Sequence, residues 1–142
     1  MHRLFIATLI SIFFFETQAS WSLSSQYIAK PNSKIRMSFL TFENKKKKIH
    51  YKPQKPPYGL VYKNKVVING SPYFVTGWTY GSKSLMFRVF NPQEKGAISI
   101  CETISFAEKA NIKMKDGILR IHTRDSLRSK LKWVNCAPTF KV

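Results

Sequence analysis

The sequence predicts an all-β protein: a single small β-sandwich or β-barrel-like domain of about seven to eight short antiparallel strands. Short runs of β-branched and aromatic residues follow residue 58, and Gly, Asn, Asp and Pro separate them. No window after residue 19 shows the sustained 3.6-residue apolar period of an amphipathic helix. A chain of 142 residues is long enough for one domain. Hydrophobic residues make up 44% of it, which excludes a disordered polycation despite the net charge of +17.

Residues 1–19 are typical of a cleaved secretory signal peptide. Arg3 supplies a positive start, residues 4–15 are an apolar stretch too short to span a bilayer well, and Ala19 is a small residue that favours cleavage before Ser20. An uncleaved membrane anchor is the alternative interpretation. We expect a secreted or periplasmic protein without a transmembrane span in the mature chain. Cleavage leaves the net charge at +17, because one arginine and one glutamate leave together.

Residues 20–57 are predicted to be a loosely ordered basic N-terminal segment. One candidate strand, residues 35–42, is rich in β-forming residues. Four lysines at 45–48 follow, and then three prolines within residues 52–57. Prolines at this density do not fit a helix or a central strand, so the stretch is expected to be an extended, solvated connector. The core β-domain is predicted over residues 58–142.

The core domain begins with a predicted hairpin. An apolar run at 60–68 precedes Asn69-Gly70, two residues that tolerate the positive φ of a type I′ turn, and a second strand follows at 73–80. Pro72 suggests an edge position or a bulge for that strand. The later elements expected are a turn at 81–84, a strand at 85–90, a loop at 91–96, a strand at 97–104 and one helical turn at 105–110.

The chain has two cysteines, Cys101 and Cys136. In an oxidising compartment they are most simply one disulfide, which would join the strand before residue 112 to the last strand. A catalytic or metal-binding thiol is the alternative. The sequence has no C-x-x-C motif and only three histidines, a poor set of metal ligands, so neither a metal ion nor a cofactor is predicted.

Residues 112–134 are predicted to form a three-stranded meander with two defined registers. A two-residue turn at Asp116-Gly117 would place Lys115 opposite Ile118, Met114 opposite Leu119, Lys113 opposite Arg120 and Ile112 opposite Ile121. A three-residue loop at residues 124–126 would place Thr123 opposite Leu127, His122 opposite Arg128, Arg120 opposite Lys130 and Leu119 opposite Leu131.

In these registers the meander has an apolar face and a basic face. The apolar set is Ile112, Met114, Leu119, Ile121, Leu127, Leu131 and Trp133. The candidate anion-binding or partner-binding set is Lys113, Arg120, His122, Arg128, Lys130 and Lys132. Directly opposed like charges destabilise a sheet. An arrangement that costs stability favours a binding function for this face. A solvated face without a binding function is the alternative. Ile118, Val134 and Cys136 fall on the basic face, so part of it must be covered.

The sequence contains no Gly-rich phosphate loop, no G-x-S-x-G, no H-E-x-x-H and no zinc-finger spacing. We therefore expect an exported, non-enzymatic binding protein whose basic sheet face engages an acidic protein, an anionic surface or a polyanion. Nucleic acid is a less favoured partner. A secondary basic patch is either a solvated loop, an anion-binding patch or a processing site, and consists of Lys45, Lys46, Lys47 and Lys48.

Two other functions remain open from the sequence. One is a periplasmic accessory protein of an envelope assembly, a secretion or pilus system or a membrane-bound regulator, in which the charge is incidental. The other is a small basic secreted ribonuclease or toxin. Such an enzyme would use Glu102 or Glu108 as base, His122 as acid and an arginine for the phosphate, although no spacing links these residues.

Overall fold

Ten strands and one helical turn make up the part of the chain that the computed structural model describes, residues 20–29, 36–124 and 131–136. The all-β class predicted from the sequence is confirmed, although the predicted number of strands was too low. The predicted signal peptide lies outside the described residues. The elements are β1 (Ser22–Ala29), β2 (Arg36–Glu43), β3 (Lys48–Tyr51), β4 (Leu60–Ile68), β5 (Ser71–Tyr80), β6 (Ser84–Phe90), α1 (Pro92–Lys95), β7 (Ser99–Ser105), β8 (Ala110–Lys115), β9 (Ile118–Arg124) and β10 (Leu131–Asn135).

The strands form three antiparallel sheets: an N-terminal sheet in the order β1-β2-β3, a central sheet β4-β5-β6-β7, and a C-terminal sheet β10-β9-β8. Strand β5 shows how they are layered. Tyr73 and Val75 pack in a core with residues of the C-terminal sheet, whereas Phe74 and Trp78 pack in a core with residues of the N-terminal sheet. The central sheet is therefore covered on both faces, and β5 is buried from Pro72 to Trp78.

The N-terminal sheet differs from the sequence expectation, which placed one strand between residues 20 and 57 where the structure has three. Trp21 and Phe42 are buried in the core that the sheet shares with the central sheet. The Phe42 ring centroid lies 5.4 Å from that of Phe74 and 5.2 Å from that of Phe90. Strand β1 carries little apolar periodicity and exists because its backbone pairs with β2 along its whole length.

The predicted solvated connector also contains structure. Strand β3 pairs with β2, and the Tyr51 ring lies 4.8 Å from the Phe90 ring and 6.0 Å from the Trp78 ring. Two of the prolines, Pro53 and Pro57, are buried. A strand of four residues is too short for its alternation to be recognised beside a lysine run. The prolines follow β3 rather than interrupt it, in agreement with their exclusion from a ladder.

Both predicted two-residue hairpins are confirmed. Asn69 and Gly70 have φ values of 50° and 78°, and Asp116 and Gly117 have φ values of 52° and 74°. These positive angles are those of type I′ turns, whose twist matches that of the flanking strands. The register across the second turn is as predicted, from Lys115 opposite Ile118 to Ile112 opposite Ile121.

Three local predictions need correction. Strand β5 is central, but β6 pairs with it only as far as Phe74, so Pro72 has β4 as its one strand neighbour among the described residues. The helical turn predicted at 105–110 is wrong, since these residues end β7 and begin β8. The helical turn lies instead in the predicted loop, where the Asn91 side chain accepts a hydrogen bond from the Glu94 N–H as an N-cap.

The predicted disulfide is confirmed. Cys101 lies in β7 of the central sheet and Cys136 directly follows β10, with 4.8 Å between their Cα atoms. The bond therefore links the central sheet to the C-terminal sheet. The Cys136 N–H also donates to the Leu119 carbonyl at 2.8 Å, which fixes the end of β10 beside β9.

The predicted register between β9 and β10 is wrong. Leu131 pairs with Arg124 rather than with Leu119, and Val134 pairs with Ile121. The three-residue loop underestimated the connection, because residues 125–130 separate the two strands. The true register brings Cys136 level with Leu119 in the core, as a bond to the buried Cys101 requires.

Candidate anion-binding surfaces

The β8–β9 hairpin brings three of the predicted site residues to one face. Lys113 pairs with Arg120, and Asn111 pairs with His122. Lys113 is exposed, whereas Arg120 and His122 are partly exposed. The alternate positions on both strands are buried against the central sheet: Ala110, Ile112, Leu119, Ile121 and Thr123. The period-two alternation therefore separates the basic side chains from the apolar ones, as the sequence predicts.

Two further cations continue this face. Lys115 and Arg124 occupy the same alternate positions as Lys113 and Arg120, and both are exposed. Neither residue belongs to the set predicted from the sequence, although the same alternation places both of them on this face. We call this surface the basic hairpin face, and it consists of Lys113, Lys115, Arg120, His122 and Arg124.

The third strand contributes less than predicted. Arg128 and Lys130 lie outside the described residues. Lys132 pairs in register with Thr123, a buried residue, rather than with a residue of the basic hairpin face. In the part of the chain that the structure describes, the basic face is therefore two strands wide. Asn135 is the β10 partner of Arg120 and is exposed.

The charges of the basic hairpin face are not balanced within the hairpin. Lys113 and Arg120 are directly opposed, an arrangement that costs about 0.2–1 kcal/mol. The only acidic residue in the sequence between 110 and 124 is Asp116, in the turn itself. Among the described residues, the Nε of Arg120 is buried and has no hydrogen-bond partner. This donor lies on the same face as the exposed cations.

The predicted secondary patch is divided by the structure. Lys45, Lys46 and Lys47 lie between β2 and β3, and all are exposed. The Asn44 side chain accepts hydrogen bonds from the N–H groups of Lys46 and Lys47 at 2.9 and 2.6 Å, and the Asn44 N–H donates to the Lys47 carbonyl at 2.9 Å. Lys48 begins β3 and pairs with Glu43. The first three lysines thus form an ordered turn rather than a loose loop.

Two concavities meet at Trp21, next to this turn. The first has a volume of about 330 Å³ and is lined by Ser20, Trp21, Asn44, Lys45, Lys46, Lys47 and Gln93. The second has a volume of about 410 Å³ and is lined by Trp21, Ser22, Leu23, Lys63, Asn64, Lys65 and Phe74. Trp21 is buried between them, and neither lining contains an Asp or Glu.

A third concavity is mainly apolar. It has a volume of about 750 Å³ and lies where the N-terminal sheet meets the central sheet, beside Pro56 and Pro57. Its lining includes Tyr27 and Val61, each 59% exposed, and one charged residue, Arg36. The Tyr27 hydroxyl donates to the Leu60 carbonyl at 2.6 Å, which fixes this ring at the edge of the groove.

Glu102, one of the two glutamates considered as the base of a ribonuclease, does not lie near His122. Glu102 accepts a hydrogen bond from the buried Arg88 at 3.0 Å, and Arg88 also donates to the Tyr51 hydroxyl at 3.1 Å. Since Tyr51 belongs to the N-terminal sheet, Glu102 lies on the side of the central sheet away from the C-terminal sheet. His122 lies on the outer face of the C-terminal sheet, so a two-sheet core separates it from Glu102. The contacts of Glu102 are those of a partner for a buried cation.

No family model matches this sequence, and comparisons with curated proteins and with solved structures found no match. Within residues 20–29, 36–124 and 131–136, no helix is long and apolar enough to cross a membrane. The same residues contain no group of three or more His, Cys, Asp or Glu side chains placed to hold a metal ion.

Proposed function

We propose that this protein is an exported, non-enzymatic binding protein whose basic hairpin face engages an acidic partner protein. The observation that carries the proposal is the direct opposition of Lys113 and Arg120, with Lys115 and Arg124 exposed on the same face. A sheet face that needs only solubility gains stability when charges of opposite sign alternate across its strands. Strands β8 and β9 carry lysine and arginine but no aspartate or glutamate. An acidic partner would relieve the repulsion on binding.

The shape of the face suits a macromolecule. Its members lie on the outer surface of a two-stranded hairpin, and none of them lines the three concavities described above. Clustered charges of one sign steer an oppositely charged protein and raise its association rate. The exposed Lys113, Lys115 and Arg124 side chains offer charged donors to the carboxylates of a partner.

Export rests on the sequence of residues 1–19 and is supported by the Cys101–Cys136 disulfide. Disulfides persist mainly in oxidising compartments, such as the periplasm or the extracellular space. A secreted or periplasmic location would also bring the basic face into contact with acidic proteins and anionic cell surfaces.

The test compares two variants with equal loss of charge. In the first variant, Gln replaces each of Lys113, Lys115 and Arg124. In the second variant, Gln replaces each of Lys45, Lys46 and Lys47. Binding of poly-L-glutamate, as an acidic polypeptide probe, is measured over a salt series. We expect the first variant to bind about tenfold more weakly at low salt, with a shallower salt dependence, and the second to bind nearly as the wild type does. Equal weakening would mean that net charge, and not this face, attracts the probe.

A second candidate function is that of an accessory protein in an envelope assembly. The apolar groove favours it, because Tyr27 and Val61 are large, exposed and adjacent to it. Capture of the wild-type protein by membranes at high ionic strength, and loss of that capture in Val61→Asp, would support this function. Binding that disappears with salt would contradict it, since apolar contacts persist when charges are screened.

A further inference from the structure

We propose that the paired concavities at Trp21 form a binding site for a small organic phosphate. We call it the Trp21 site. One side carries the ordered turn with Lys45, Lys46 and Lys47, and the other carries Lys63 and Lys65 of β4. This site lies at the junction of the N-terminal and central sheets, away from the basic hairpin face, and would bind independently of it.

The lysine turn is held in place before any ligand arrives. Three hydrogen bonds between Asn44 and the backbone of Lys46 and Lys47 fix its conformation. A run of lysines in a mobile loop would lose backbone entropy when it bound an anion, whereas this turn has already lost it on folding. The backbone of this turn therefore needs no further ordering when an anion binds.

The opposite wall is also ordered. The Lys65 ammonium donates to the Trp21 carbonyl at 2.6 Å and lies 5.9 Å from the centre of the Phe74 ring. Trp21 itself is only 4% exposed, so the shared wall of the two concavities is a core residue. The site is therefore built on the folded core and not on flexible side chains alone.

The charge of the site is of one sign. Five lysines line the two concavities, and the remaining polar lining residues, Asn44, Asn64, Gln93 and two serines, are neutral. A concave surface with charges of one sign concentrates the electrostatic potential inside it. Cleavage before Ser20, which the sequence predicts, would add an α-ammonium group to the same lining.

The two linings indicate what kind of anion fits. Lysine ammonium groups bind phosphate as compact point charges, and three lysines line the first concavity. The second adds the partly buried side chain of Leu23, which packs against the core that contains Phe74 and offers apolar surface that a bare ion would not use. Volumes of about 330 and 410 Å³ are in the range of small-molecule sites. A phosphate group beside the lysine turn, with an organic moiety that extends past Trp21 toward Leu23, matches both linings.

The first experiment is a calorimetric titration of the disulfide-bonded protein with tripolyphosphate at constant ionic strength. We expect the variant with Lys45, Lys46 and Lys47 changed to Gln to bind about tenfold more weakly than the wild type. In the matched control, Lys113, Lys115 and Arg124 are changed to Gln. This control has the same net charge as the first variant, and it should bind tripolyphosphate nearly as tightly as the wild type does. Equal weakening in both variants, or no binding by the wild type, would overturn the site.

A second variant keeps every charge. Asn44→Ala removes the side chain that orders the lysine turn, so tripolyphosphate binding should weaken although the net charge is unchanged. Thermal unfolding of each variant shows whether the fold is retained. Wild-type affinity in Asn44→Ala would mean that the ordered turn is not part of a site.

A vesicle experiment identifies the source of the phosphate. Vesicles of phosphatidylcholine with phosphatidic acid are sedimented with the wild type and with the Lys45, Lys46 and Lys47 variant. Binding that depends on these lysines would assign the site to a lipid headgroup, and binding of tripolyphosphate alone would assign it to a free phosphate ester. Because neither experiment involves the basic hairpin face as more than a control, the site and the proposed function fail separately.

Discussion

The two outer sheets pack against the same central sheet, but they are held there by different means. The N-terminal sheet shares a core of large side chains with it, among them Trp21, Phe42, Phe74, Trp78 and Phe90. The core on the other side consists mainly of smaller residues, and a disulfide crosses it. One outer layer thus depends on aromatic packing, and the other depends on a covalent bond as well as on packing.

The outer sheets also place their positive charges differently. The N-terminal sheet concentrates lysines in a turn beside a concavity, whereas the C-terminal sheet spreads lysine and arginine over an exposed sheet face. A concave cluster suits a small anion, and an open sheet face suits a protein surface. The positive charge of the chain therefore includes two clusters that differ in shape, one concave and one on an open sheet face.

The largest effect is expected from the aromatic core. Phe42→Ala should reduce the free energy of unfolding by about 3–5 kcal/mol, because the ring is fully buried and contacts Phe74 and Phe90. Phe39→Ala, on the other face of the same strand, is the control and should cost less. Urea denaturation measures both. Similar small costs for the two variants would mean that the N-terminal sheet does not pack as described.

The disulfide should contribute the next largest effect. Replacing Cys101 and Cys136 together by Ala should lower the free energy of unfolding by about 2–4 kcal/mol, because the bond restricts the unfolded chain. Reducing agent should destabilise the wild type and leave the double variant unchanged. Two free thiols in the native wild-type protein would contradict the bond.

Two single-lysine variants should change stability in opposite directions. Lys113→Gln relieves repulsion with Arg120, so we expect a gain of about 0.2–1 kcal/mol. Lys48→Gln removes an attractive cross-strand partner of Glu43, so we expect a loss of similar size. Thermal unfolding at low and high salt measures both effects, which salt should reduce. Changes of the same sign would show that the registers do not determine these interactions.

The smallest effect concerns tyrosine ionisation on both sides of the central sheet. Burial raises the pKa of Tyr51, Tyr62 and Tyr73 above the ordinary value of 10.0. These hydroxyls therefore stay protonated in the folded protein at a pH where the unfolded chain ionises, and stability should fall as the pH rises beyond about 10. Tyr51→Phe should make this fall less steep. Unfolding experiments across alkaline pH measure it, and an identical slope would exclude a contribution from Tyr51.

The elements predicted correctly are those that local chemistry determines. The Asn69-Gly70 and Asp116-Gly117 turns need positive φ at both positions, which these residues accept at low cost, and each turn fixes the register of its hairpin. The alternation on β8 and β9 then separates Lys113 and Arg120 from the buried residues. The basic hairpin face could therefore be found from the sequence, including the two cations that were left out.

The elements missed are those that depend on distant partners. Strand β1 has too few apolar residues to be recognised and forms by pairing with β2, and β3 is too short. The position of the lysine turn beside Trp21 and β4 also arises from packing between two sheets, so no sequence pattern indicates the Trp21 site. Contacts between residues far apart in sequence produce no hydrophobic periodicity in the local sequence, so a sequence pattern does not predict them.

The register of β10 is a feature that the local sequence did not determine and that depends on the tertiary structure. The sequence determined an all-β chain with two type I′ hairpins and a disulfide, because turn chemistry, alternation and cysteine number are properties of the chain itself. Its predicted register placed Cys136 on the basic face, in conflict with a bond to a buried Cys101. In the folded protein that bond and the hydrogen bond from Cys136 to Leu119 set the register instead. Period-two alternation fixes which residues of one strand share a face, but the pairing with the next strand decides which face of the sheet each set joins. For β10 that pairing agrees with the cross-link between Cys136 and the buried Cys101.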